Sequence, residues 1–229
     1  ALAGAERLVP LLEEEERQMA NEVPHEFRHI ESIDFDHVWF SYDNNDIYAL
    51  EDFTLSIKAG EFIGIVGPSG SGKSTLLSLL MGLYKPTKGA IYINGIDIAK
   101  YDSSVLRHLM GYVFQQAYLF KGSIKDNLTL FDTSISYEDM VDAAKQVNLD
   151  TMIEHLPEGY NTPVGYLGSL LSDGQKQLLA FGRTLIRNTP ILLLDEATAN
   201  IDSHTEKQIQ ASIENIRGSK TIVIIAHRL

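Results

Sequence analysis

Eight consecutive residues, Gly67-Pro68-Ser69-Gly70-Ser71-Gly72-Lys73-Ser74, constrain this chain more than any other stretch. They carry the spacing G-x-x-x-x-G-K-[ST] of a phosphate-binding loop. The apolar run Phe62-Ile63-Gly64-Ile65-Val66 precedes them and Thr75-Leu76-Leu77-Ser78-Leu79-Leu80 follows, so the order reads strand, loop, helix. Glycines let the backbone wrap closely enough for successive N–H groups to face phosphate oxygens, and the new helix adds its positive N-terminal end. Lys73 is expected to reach the β- and γ-phosphates, the Ser74 hydroxyl to ligate Mg²⁺, and Thr75 to close the set of nucleotide-binding residues. A Gly/Ser surface loop can match such a pattern by chance, but not with a strand before it and a helix after it. The stretch implies binding of a nucleoside triphosphate.

The chain has 229 residues, 44% of them hydrophobic, enough for one α/β domain with a small inserted subdomain. No apolar run approaches the roughly 18 residues that cross a bilayer, and nothing resembles a signal peptide. The absence of cysteine excludes disulfides and zinc–thiolate sites and suits a cytosolic surface. A net charge of −12 argues against a general nucleic-acid binder, which needs a basic face. Residues 1–36, with ten acidic and three basic side chains, hold −7 of that charge. Phosphate must therefore be held by Lys73 and aimed backbone dipoles rather than by a broad positive field. The chain starts at Ala1 and stops three residues after the apolar run Thr221–Ala226, which reads as a piece of a longer polypeptide with a truncated C-terminal end.

Residues 1–20 mix Leu8, Leu11 and Leu12 with the run Glu13–Glu16, interrupted by Pro10, and read as a linker or a short helix end. From Ile33 the texture becomes alternating, through Phe35, Val38 and Phe40, then Phe53, Leu55 and Ile57, ended by Lys58-Ala59-Gly60. Short strands are expected near 90–93 and 111–114. Met140, Ala143, Ala144 and Val147 have helical spacing, and roughly 116–174 reads as an inserted helical subdomain. The strand Ile191–Leu194, a helix across 203–216 and a strand at 221–226 complete the pattern. Continuous apolar strands predict a parallel sheet covered on both faces.

Ile191–Leu194 runs into Asp195 and Glu196. Ligands of open α/β sheets bind at the carboxyl ends of strands, so both acids belong beside the phosphate loop. Asp195 is expected to hold Mg²⁺, directly or through water, and Glu196 to polarise a water for in-line attack on the γ-phosphorus. Solvated acids capping a strand are the plain alternative, and it weakens beside a phosphate loop.

Leu171-Ser172-Asp173-Gly174-Gln175 resembles the signature (LSGGQ) of ATP-binding cassette proteins. The rest of that family's pattern is also found in order along the chain. Gln115 matches the glutamine loop, which the family uses in catalysis and as a Mg²⁺ ligand. Ala199-Asn200-Ile201-Asp202 matches the D-loop, His227 the switch histidine, and Tyr42 the aromatic that stacks on adenine. The resemblance covers residues 30–229 and implies an ATP-binding domain over 31–229, preceded by a 1–30 linker from a membrane domain. It further implies a P-loop, RecA-like, mostly parallel core with an N-terminal antiparallel β subdomain and an inserted helical subdomain. Leu106-Arg107, Gly111–Gln115, Leu119–Ile124 with Asn127, and Ile225–Leu229 are similar to the exporter branch, which includes multidrug and lipid exporters. Membership implies an ATPase with ATP and Mg²⁺, closing head to tail on a second cassette, at the cytoplasmic face of a membrane. The signature would face the partner's nucleotide. The alternatives are a soluble cassette acting on nucleic acid or ribosomes, disfavoured by charge, and a phosphoryl transferase, disfavoured by the signature and His227.

Two departures stand out. Asp173 places a carboxylate where the family has glycine, opposite the partner's triphosphate, which favours a pairing of unlike halves. Pro163, Tyr166 and Leu167 replace the charged positions of the exporter stretch TEVGERG, which puts that segment's contact with a membrane domain in question.

Lys73→Ala is expected to weaken nucleotide binding itself. Glu196→Gln is expected to keep ATP affinity and to lower turnover about 100-fold or more. Binding and phosphate release, measured on the protein assembled with its partner, separate the two. Near-normal hydrolysis by Glu196→Gln removes the water-polarising role.

Overall fold

The computed structural model describes residues 27, 29–43, 47–165, 168–195 and 201–226. Residues 1–26 and 28 of the expected 1–30 linker, and the expectations for Tyr166, Leu167, Glu196, Ala199, Asn200 and His227–Leu229, lie outside the described residues. Two compact units share the rest, one of residues up to Ser56 with Thr75–Leu109, the other of Ile57–Ser74 with residues from Met110 onward.

The first unit carries an antiparallel sheet of order β2-β1-β4-β5, with β1 Ser32–Phe40, β2 Leu50–Lys58, β4 Lys88–Ile93 and β5 Ile96–Asp97. Ile33, Phe35, Val38 and Phe40 of β1 are buried. The step of three between Phe35 and Val38 breaks a strict period of two, and the structure gives the reason. The β1–β4 register shifts between Asp36 and Trp39, a bulge that holds His37 at φ 48° and returns the apolar side chains to one face. Thr75–Leu80, the greater part of α1 (Lys73–Leu80), belongs to this unit, and Leu76, Leu77, Leu79 and Leu80 are buried. Helix α2 (Ser103–Leu109) buries Val105, Leu106 and Leu109.

The second unit carries a parallel sheet of order β3-β8-β7-β6, from β3 Phe62–Val66, β6 Met110–Val113, β7 Ile191–Asp195 and β8 Thr221–Ala226. The central strands fit the expectation of burial on both faces, since Ile191–Leu194 are all buried. The edge strand β3 does not, because Gly64 and Val66 are exposed and the other three positions are only partly buried.

Between β6 and β7 lie α3 Ile124–Thr129, α4 Tyr137–Gln146, α5 Asp150–Glu154 and α6 Asp173–Ile186; α7 Ser203–Ile216 precedes β8. One core joins Leu192 and Leu194 of the sheet to Leu178, Phe181 and Leu185 of α6, Ile124 and Leu128 of α3, and Met140 and Ala144 of α4. Each of these side chains larger than alanine contributes about 1.5–3 kcal/mol on burial. The helix ends are specified locally. Ser123 caps α3, its hydroxyl accepting from Asp126 N–H while the Asp126 carboxylate accepts from Ser123 N–H. Those hydrogen bonds hold the Asp126 carboxyl below the usual carboxylate range.

Asn127 is the polar centre of this unit. Fully buried, its amide donates to the carbonyls of Phe120 and Ser123, and its Oδ1 accepts from Phe120 N–H and from Arg183 Nη2 at 3.1 Å. Arg183 also donates through Nε to the Asn127 carbonyl and through Nη1 to the Tyr118 carbonyl. Burial first, and the charge of Arg187 second, lower its guanidinium to about 10, which leaves it charged at neutral pH. Asn127→Ala would strand several of these buried groups, and a loss of about 2–4 kcal/mol is expected. Urea unfolding measures it; a loss below about 1 kcal/mol would show that the network is not what holds the 118–127 segment.

Candidate functional site

Gly70 and Gly72 adopt φ of 78° and 87°, a backbone region that side chains with a Cβ disfavour, so the loop can turn tightly before α1 begins at Lys73. Lys73 is buried, and its ammonium donates to the carbonyls of Gly67 at 2.9 Å and Pro68 at 2.8 Å. The cation is thus fixed inside the curve of the loop, where an anionic ligand of the N–H groups would meet it.

The parallel register brings the acid of β7 to the same place. Asp195 is level with Ile225 of β8, which is level with Ile65 of β3, one residue before the strand ends at Val66. Ser74 Oγ donates to Asp195 Oδ1 at 3.3 Å, and Tyr112 Oη donates to Asp195 Oδ2 at 2.8 Å. Burial first, then the hydrogen bond and charge of Asp195, push the Tyr112 phenol well above the ordinary tyrosine range, so it stays a donor at neutral pH. Ser74 and Asp195 present one hydroxyl and one carboxylate side by side. Hard oxygens in so small a number suit Mg²⁺, which takes few protein ligands beside phosphate and water. Among the described residues no group of three or more His, Cys, Asp or Glu side chains offers a rival cage.

Gln115 is exposed two residues after the end of β6. The backbone before it is pinned, because Gln177 Nε2, itself buried, donates to the Phe114 carbonyl at 2.9 Å. The signature residues open α6. Ser172 is its N-cap, accepting from Gln175 N–H, while the Gln175 side chain accepts from Ser172 N–H. Leu171 is partly buried against the core. Gly174 has no room for a side chain, since a Cβ there would lie 2.6 Å from Thr205 Oγ1. Asp173 is 81% exposed and pairs with Lys176 at 2.9 Å, so the unexpected carboxylate carries a counter-ion one turn along its own helix. An exposed pair of this kind is worth at most about 1 kcal/mol to the fold, but it offsets negative charge at the helix start.

Within the first unit, Tyr42 is 55% exposed and its hydroxyl lies 2.8 Å from Thr75 Oγ1. Its ring sits 4.9 Å from Phe40 and 5.4 Å from Tyr84, both edge-on, giving an open aromatic cluster.

The family model for the ABC transporter matches residues 50–199. The chain belongs to the ABC transporter family. It is 41% identical over 227 residues to a probable ABC transporter ATP-binding/permease protein of Haemophilus influenzae, covering 99% of this chain and 41% of that protein. It is 46% identical over 197 residues to the toxin RTX-III translocation ATP-binding protein of Actinobacillus pleuropneumoniae, covering 86% of this chain and 28% of the relative. The solved structure of a bacterial Atm1-family ABC exporter with ATP bound matches with a TM-score of 0.80 at 40% identity, over 87% of this chain and 35% of that one. The chain thus spans well under half the length of these relatives. It is an ATPase domain of this family, with relatives among exporters. The nucleic-acid alternative finds no support among them.

Sequence reasoning assigned no role to Tyr112, Gln177 or Lys176. Their partners lie 83, 63 and 3 residues away respectively, and only for Lys176 does the spacing itself signal a partner. In this ABC domain Gly174 joins the signature helix closely to the start of α7, where Asp202 accepts from Thr205 N–H and Oγ1. Gly174→Ala gains up to about 1 kcal/mol in helix propensity but overpacks against Thr205, so a net loss of about 1–2 kcal/mol is expected. Adding Thr205→Ala should recover part of it in thermal unfolding. Unchanged stability of Gly174→Ala would show that α6 and α7 shift apart freely.

Proposed function

We propose that this chain is the ATP-driven motor of an exporter, acting at the cytoplasmic face of a membrane on a membrane domain of the same polypeptide. The observation that carries the reading is the convergence of Lys73, Ser74 and Asp195, one buried cation and two hard-oxygen groups at the carboxyl edge of a parallel sheet. Lys73 and the loop residues Gly67–Thr75 would hold the triphosphate, and Tyr42 would stack on the adenine, typically worth about 1–3 kcal/mol. Ser74 and Asp195, with Gln115, would hold Mg²⁺, which neutralises phosphate charge when bound. Glu196 would orient and polarise the attacking water, and His227 would contact the γ-phosphate.

One phosphate loop and one signature per chain call for a second cassette, placed head to tail so that Leu171–Gln175 meet the partner's nucleotide. Closure is then a population shift driven by a ligand that touches both faces only when they are closed, and hydrolysis reopens them. Asp173 would bring a carboxylate towards the partner's triphosphate, an unfavourable like-charge approach that the pairing with Lys176 softens. An unlike partner with a glycine at that position would rebuild one strong site on this chain's phosphate loop.

The names of the relatives support the membrane partner, since one is an ATP-binding/permease protein of which this chain covers 41%. So does a groove of about 300 Å³ beside β6, lined by Phe114, Tyr118, Phe120, Leu130 and Arg183. Phe114 and Tyr118 are 62% and 65% exposed there, an apolar surface suited to a segment of the membrane domain.

Sites completed by a second chain make hydrolysis concentration-dependent. The rate per chain, followed by phosphate release at saturating ATP and Mg²⁺, should rise with protein concentration. A constant rate per chain would rule out shared sites.

A further inference from the structure

We propose that Tyr112 is a positioning residue for Asp195, fixing the carboxylate through a hydrogen bond to one oxygen so that the other faces Ser74. This rests on the reading of Asp195 as the metal-side acid.

The geometry leaves the two oxygens of Asp195 with different partners. Oδ2 accepts from Tyr112 at 2.8 Å, a short bond to a half-buried phenol, whereas Oδ1 accepts from Ser74 at 3.3 Å, a long and easily exchanged contact. A carboxylate bound at one oxygen keeps its remaining rotation restricted, so the free direction of the other is set in advance. Tyr112 is able to impose this because it is itself held at its backbone and at its ring. Its backbone is in register with Leu193 in the parallel ladder. Its ring lies 4.5 Å from that of Phe114, whose own carbonyl is fixed by Gln177. Tyr112 itself lines the groove beside β6, so one aromatic side chain stands between that groove and Asp195.

The alternative is that the phenol only satisfies a strand-end carboxylate and fills space. The two readings separate in a measurement that distinguishes metal-dependent from metal-free nucleotide binding. Tyr112→Phe keeps the ring and the Phe114 contact and removes one hydroxyl. Binding of trinitrophenyl-ATP to the full chain, titrated with Mg²⁺ and repeated in EDTA, is the test. Tyr112→Phe is expected to raise the Mg²⁺ midpoint about 3–10-fold while leaving metal-free affinity within twofold of the parent. Asp195→Asn is expected to abolish most of the Mg²⁺ dependence, and the double variant to add nothing further. Adding Tyr112→Leu, which also loses the ring, guards against a folding effect. Its Mg²⁺ midpoint should shift at least as far as that of Tyr112→Phe, whatever happens to thermal stability. An unchanged midpoint in Tyr112→Phe, with Asp195→Asn strongly affected, overturns the positioning role alone. An equal loss with and without metal overturns it in favour of a structural one. If Asp195→Asn leaves the Mg²⁺ dependence intact, the metal-side reading of Asp195 fails and the proposal falls with it.

Discussion

The register of the parallel ladder is the constraint on which the site depends. Phosphate loop and acid belong to strands that are not neighbours: β3 and β7 are separated by β8, two inter-strand spacings or about 10 Å. Only because Ile65, Ile225 and Asp195 share one level does the loop emerge where the acid ends, and only then can Ser74 reach back across β8 to it. A slip of one residue in the β7–β8 ladder would send Asp195 to the opposite face of the sheet. The buried apolar run Ile191–Leu194 resists such a slip, because all four side chains are already committed to the core.

Local electrostatics follow from the same arrangement. A chain with a net charge of −12 has no long-range attraction to offer a polyanion. What it has is short-range: one ammonium fixed by two carbonyls of its own loop, and the N–H groups that the turn directs inward. Interactions of that kind act over a few ångströms and are screened little by salt, so they suit a ligand that is held rather than gathered from a distance.

Much of this was legible in the residues because its causes are local. The strand–loop–helix at the phosphate loop, the helix over 203–216 and the strand over 221–226 follow from periodicity and turn chemistry within each segment. Met140, Ala143, Ala144 and Val147 share helical spacing, and all four are buried, although Val147 falls just beyond the end of α4. The exposure of β3 was not legible: a run of apolar residues looks alike in a central and an edge strand, and strand order is a property of the whole sheet. The same holds for Asn127, whose amide meets Arg183 across 56 residues, and for the Tyr112–Asp195 contact. Nothing in either residue's neighbours reveals a partner that only the folded ladder supplies.

The pairing of Asp173 with Lys176 ties together two electrostatic effects at the start of the signature helix. An acid in the first turn favours the helix, whose N-terminus carries partial positive charge, while the same acid disfavours an anion placed opposite. Lys176 partly neutralises that acid, so it softens both effects at once. A cassette that kept Asp173 but lost Lys176 would present a bare carboxylate at the start of its signature helix, so moving this signature into another cassette calls for both residues together.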